Sequence, residues 1–63
     1  MEKIYGDIYT VAEVQKILKI SKSTVYVLIK EKKLGAIKIR STYRVTKDDL
    51  LLFIKENSLN HEN

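Results

Sequence analysis

The chain contains no cysteine, which removes both a disulfide framework and a thiolate metal site as sources of stability in 63 residues. It has one histidine, His61, so no second imidazole completes a metal or acid–base site, and His61 reads as an ordinary residue of a polar tail. No stretch approaches the roughly 20 apolar residues of a membrane span, and no apolar run follows Met1 as a secretory signal would require. The expectation is a cytoplasmic protein with no membrane association. With two glycines and no cluster of histidines and carboxylates, neither a phosphate-cradling loop nor a metal set is visible, and no cofactor is expected.

Acid is scarce where base is dense. Between Lys19 and Lys47 nine Lys or Arg face one acid, Glu31, while the flanking segments are net acidic, so the overall charge of +4 is concentrated in one region. Such a local excess attracts and orients a polyanion, double-stranded DNA above all, which would make the protein nucleoid-associated. Charge by itself does not separate DNA from RNA or an anionic membrane.

A chain of 63 residues accommodates one small domain, which buries about 60% of the surface of its extended form. Stability must come from apolar packing and helix caps. Residues 1–9 read as an N-terminal arm or edge segment, in which Ile4, Tyr5, Ile8 and Tyr9 are able to lay a strand against the core or meet a partner. Thr10-Val11-Ala12-Glu13 has the capping-box pattern, in which the Thr10 hydroxyl meets the Glu13 amide and the Glu13 carboxylate returns to Thr10. Val11, Val14, Ile17 and Leu18 then recur as one buried helical face. Lys19-Ile20 interrupts the run, and Ser21 supplies a second cap. A further helix follows, with Val25, Leu28 and Ile29 inward and Lys22, Ser23, Tyr26 and Lys30 outward or sideways.

Two short helices joined by a compact turn make a helix-turn-helix, whose second helix presents its N-terminal residues to a major groove. Gly35 permits a change of direction, after which Ala36-Ile37-Lys38-Ile39 and Tyr43-Arg44-Val45 read as two strands joined by Arg40-Ser41-Thr42. A two-stranded hairpin is marginal alone, so Ile37, Ile39 or Val45 must pack on the helices; alternation puts Ile37 and Ile39 on one face and Lys38 and Arg40 on the other. Thr46-Lys47-Asp48-Asp49 caps a third helix, from which Leu50, Leu51, Phe53 and Ile54 close the core. The fold class is therefore mainly α with a small β-hairpin, a compact winged helix-turn-helix over residues 10–56, with residues 57–63 as a flexible tail.

The ordered set Thr10-Val11-Ala12-Glu13-Val14, Ile20-Ser21-Lys22-Ser23-Thr24-Val25-Tyr26, Lys38-Ile39, Tyr43-Arg44-Val45 and Asp49-Leu50 resembles the excisionase-type DNA-binding domain, a family related to the winged domains of MerR-type regulators. The resemblance implies recognition-helix contacts from Lys22, Ser23, Thr24, Tyr26 and Lys30, and wing contacts from Arg40 and Arg44, with Lys38 adding to the electrostatic footprint. For each of these residues a capping, packing or solvated role is the competing reading. The chain departs from the family's usual pattern at Lys19 and Arg40, where glycine or a small residue is frequent, and at Gly35, where proline is frequent. Members of the family bind repeated sites beside an attachment sequence, bend the DNA and help an integrase favour excision. Others regulate transcription.

The expected function is thus that of a sequence-specific excisionase, or recombination directionality factor, with an integrase as partner and cooperative self-association on adjacent sites. The alternatives are a small winged-helix transcriptional regulator and a protein-interaction module. At 63 residues the expectation is an accessory protein without the effector domain and long dimerisation helix of full MerR-type regulators. Enzymatic activity is not expected: the tyrosines Tyr5, Tyr9, Tyr26 and Tyr43 lack the organised cationic and acid–base groups that a DNA-cleaving nucleophile needs.

Overall fold

The computed structural model describes residues 7–58. Its elements run β1 (Ile8–Thr10), α1 (Val11–Leu18), α2 (Lys22–Lys30), β2 (Ile37–Ile39), β3 (Thr42–Thr46) and α3 (Lys47–Glu56). Among the described residues, no helix is long and apolar enough to cross a membrane.

Threonines end β1 and β3 and cap the helices that follow. Thr10 is the last residue of β1 and the N-cap of α1: its amide donates to Glu13 Oε1 at 2.9 Å, and the Glu13 amide donates to Thr10 Oγ1 at 3.1 Å. Thr46 likewise ends β3 and caps α3, through one bond only: its Oγ1 accepts from the Asp49 amide at 3.1 Å, with Asp48 and Asp49 in the first turn where the helix dipole favours acid. Strand therefore passes into helix without a loop, and each hydroxyl satisfies an amide that the helix cannot.

The sheet is antiparallel, in the order β1-β3-β2. Ile8 and Tyr9, assigned to the arm, are part of it; Ile4 and Tyr5 lie outside the described residues, as does His61. The expected hairpin is thus the outer two-thirds of a three-stranded sheet, and its central strand is β3. Pairing Ile39 with Thr42 leaves Arg40 and Ser41 alone as the turn, so Thr42 belongs to the strand.

The core comprises Val11 and Val14 of α1, Val25 of α2, Leu34 of the following loop, Val45 of β3 and Leu50 of α3, each less than a tenth exposed. Tyr9, Leu18, Ile20, Tyr26, Leu28, Ile29, Ala36, Tyr43 and Phe53 pack around it. Each full burial of a valine or leucine contributes about 1.5–3 kcal/mol, so all the helices, the loop and the central strand share in holding one centre. Several apolar residues expected inside are not: Ile17, Leu51 and Ile54 are at least 40% exposed, leaving Val11, Val14 and Leu18 to carry the inward face of α1 and Leu50 and Phe53 that of α3.

Ile37 and Ile39 correct the reading of the wing. The register sets Lys38 opposite Tyr43 and Tyr9 opposite Val45, and residues directly opposite in an antiparallel pair share a face. Since Val45 is fully buried, the core face is Tyr9, Lys38, Tyr43 and Val45, and the outward face carries Ile8, Thr10, Ile37, Ile39, Thr42, Arg44 and Thr46. Ile37 and Ile39 are 44% and 48% exposed, so Val45, not either isoleucine, anchors the wing. Of the three anchors expected, Ile37, Ile39 or Val45, the structure selects Val45; Ile37 and Ile39 share the face opposite Lys38 as alternation predicts, and Arg40 lies beyond the strand in the turn.

Gly35 does not use a left-handed backbone. A Cβ there would lie 2.8 Å from the Asp49 Cγ, so the glycine allows the loop to pass against the first turn of α3.

Candidate nucleic-acid interface

The first turn of α2 displays hydroxyls. Ser21, the N-cap, accepts from the Thr24 amide at 3.2 Å, and its Oγ lies 2.8 Å from Thr24 Oγ1 and 3.2 Å from Ser23 Oγ. Ser21, Lys22, Ser23 and Thr24 are all exposed. Capping and exposure therefore coexist: Ser21 fixes the helix start, while Ser23 and Thr24 keep donor and acceptor capacity for an incoming base edge or phosphate. Lys30 is exposed in the last turn of the same helix.

Tyr26 faces sideways, as expected, and is half-buried against the core. Its ring meets that of Tyr43 edge-on, with centroids 5.9 Å apart and planes at 61°. Lys38 Nζ lies 5.9 Å from the Tyr43 ring centroid on the same side of the sheet. An edge-on pair is worth about 0.5–1.5 kcal/mol beyond its area and an exposed cation–π contact about 0.5–1 kcal/mol. Lys38, Tyr43 and Tyr26 thus form a bridge from the wing to α2, and Lys38 joins the same surface as the recognition-helix candidates.

Arg44 does not. It lies on the outward face of the sheet, between Thr10 and Ile37 in the ladder, and is half-buried. Its guanidinium Nη1 donates to Tyr43 O at 3.1 Å and to Thr42 Oγ1 at 3.3 Å. Lys38 and Arg44 consequently point to opposite sides of the wing. Asp7, Ile8, Ile37, Thr46, Lys47 and Asp48 line an open hollow of about 310 Å³, which Ile8, Ile37 and Thr46 place on that outward side.

Arg40 is exposed in the hairpin turn with φ 59°, and Lys19 and Lys32 adopt φ 57° and 63°. A left-handed residue with a Cβ costs about 1 kcal/mol, and all three carry cations. Lys19 ends α1, where the Gln15 carbonyl accepts from its amide and from that of Ile20 at 3.2 Å. Lys32 follows α2, where the Lys33 amide donates to Leu28 O at 2.9 Å and the Lys32 amide to Ile29 O at 3.0 Å. Both are the bonds that a left-handed helix ending provides. The glycine frequent in the resembling family at the positions of Lys19 and Arg40 is explained by this geometry, and the turns close without it. Lys33 pairs with Glu31 at 3.6 Å, an exposed contact that contributes little.

One outward residue of α2 is absent from the sequence-based list. Val27 is 48% exposed and stands one helical turn from both Ser23 and Lys30. The signal was available in the spacing: with Val25, Leu28 and Ile29 inward, position 27 falls on the opposite side.

Three helices, a helix-turn-helix and a winged sheet define a small DNA-binding domain of the winged helix-turn-helix class. A family model for the helix-turn-helix domain matches residues 8–58, most of the chain, and the chain belongs to that family. The match includes β1, in agreement with its place in the sheet. No curated protein and no solved structure matches the chain.

Proposed function

We propose that the protein is a sequence-specific double-stranded DNA-binding factor of the excisionase type, which bends attachment-site DNA and helps an integrase favour excision. The observation that carries the DNA reading is one surface: the exposed Lys22, Ser23, Thr24 and Lys30 of α2, bridged through Tyr26 and Tyr43 to Lys38 of the wing. A helix start in the major groove supplies base-edge and phosphate contacts, and the wing cations Lys38 and Arg40 add contacts to the adjoining backbone or minor groove. Arg44 serves a groove only if DNA wraps the outward face of the wing. The protein performs no chemistry; its work is selection of sequence and deformation of the duplex. The excisionase assignment and the kinship with MerR-type domains rest on the motif resemblance. Cooperative binding of adjacent copies, in the cytoplasm and on the nucleoid, belongs to the same reading.

The test is genome-wide occupancy of the tagged protein at native expression, paired with a null mutant scored for excision and nearby transcription. Occupancy beside an integrase attachment site with loss of excision is the expected result. Promoter occupancy with altered transcription and intact excision would instead make it a regulator.

A further inference from the structure

Resting on the DNA reading above, we infer that Val27 is a specificity residue that reads the 5-methyl group of a thymine. The core takes Val25, with Leu28 and Ile29 packed against it, and so fixes which side of α2 faces out. On that outer side Ser23, Val27 and Lys30 follow one another at i, i+4 and i+7, with Ser23 and Lys30 exposed and Val27 48% exposed between them. β-branched residues are also exposed on the other helices, Ile17 and Ile54 among them, so it is the place of Val27 between Ser23 and Lys30 on α2, and not its exposure alone, that points to a contact. Polar groups flank it: the hydroxyls of Ser21, Ser23 and Thr24 at the helix start and the ammonium of Lys30 at its end.

A helix about 10–12 Å across fills a major groove about 12 Å wide, so the side turned to the DNA meets base edges from its start through the following turn, at Ser23 and then Val27, while the long side chain of Lys30 reaches toward a phosphate. The one apolar group that an unmodified major groove displays is the thymine methyl, so an aliphatic side chain at this point has one chemical partner there. Ile37 and Ile39, also exposed, lie on the outward face of the sheet, away from the Tyr26–Tyr43 bridge, and do not extend Val27 into a common protein-docking patch.

The test begins with selection of a preferred duplex from a random-sequence library by the full chain. Each thymine of that duplex is then replaced singly by deoxyuridine, which removes the methyl and keeps every hydrogen-bonding group. Wild-type protein should lose roughly fourfold in affinity at one or two positions, the value of burying one methyl group. Val27→Ala should lose a similar factor on the unmodified duplex and become indifferent to deoxyuridine at those positions. Alanine is the better helix former, and circular dichroism checks that the variant is folded. The inference is overturned if Val27→Ala stays sensitive at the same positions, if no deoxyuridine matters, or if the selected duplex has no thymine in the protected groove. Failure of the library to enrich any sequence would overturn the sequence-specific reading itself, a different outcome from the other three.

Discussion

The helix-turn-helix and the wing are held to the same core by different means. Val11, Val14 and Val25 place three buried valines in α1 and α2, whereas β2 is exposed at every residue and the wing reaches the core through Val45 and Tyr43 of its inner strand. The recognition helix is therefore part of the folding unit, and the wing tip is an appendage whose direction is set by one strand and one aromatic contact. On the function proposed above, the firmly packed helix would read bases and the lightly held hairpin would follow the backbone of a bent duplex.

Core truncation is the largest way to break this contrast. Val25→Ala removes two methyl groups from a fully buried site and should cost about 2–3 kcal/mol, while Ile39→Ala in the wing should cost under about 0.5 kcal/mol, both measured by urea unfolding. Equal losses would show that the wing is packed as tightly as the helices. Next in size is the bridge. Tyr43→Leu keeps apolar bulk and removes the ring contact with Tyr26, and a double-mutant cycle with Tyr26→Leu should return a coupling of about 0.5–1.5 kcal/mol. The same Tyr43→Leu protein should lose footprint protection under the wing before that under α2.

The smallest effect separates charge from backbone. Lys19→Gly and Arg40→Gly relieve left-handed conformations and should each raise stability by about 0.5 kcal/mol, the relief being partly offset by the entropy of the more flexible unfolded chain. Arg40→Gly should also flatten the slope of log affinity against log salt by about 0.9, the loss of one phosphate contact. A stabilised Arg40→Gly protein with an unchanged slope would remove Arg40 from the interface.

What the sequence revealed follows the same division. The caps at Thr10, Ser21 and Thr46 depend on residues three apart, and all three formed as the local pattern indicated. The exposed character of Lys22, Ser23 and Lys30 and the half-buried place of Tyr26 followed from helical spacing once Val25 was placed inside, while Thr24 entered through the motif resemblance. The wing was less legible, because its two faces exchange on a one-residue change of register, and β1, which helps fix that register, is three residues long. Arg44 was accordingly grouped with Lys38 and Arg40, although it lies on the other face from Lys38. Leu34, 1% exposed, directly follows the polar stretch Glu31-Lys32-Lys33, and nothing in that composition announces a core residue; the left-handed turn at Lys32 lies just before it. Ile17, Leu51 and Ile54 show the converse, since a small core is filled before every apolar residue at helical spacing has been used.

The closeness of Gly35 to Asp49 ties two positions that are distant in the chain into one inherited choice. A side chain at position 35 would need the space that the Asp49 carboxylate occupies. Where a related sequence carries proline in place of this glycine, a carboxylate at the position of Asp49 has to turn aside, a shift open to the flexible end of a side chain, so the two sites should show a bias toward joint change and the acid at that position a different rotamer.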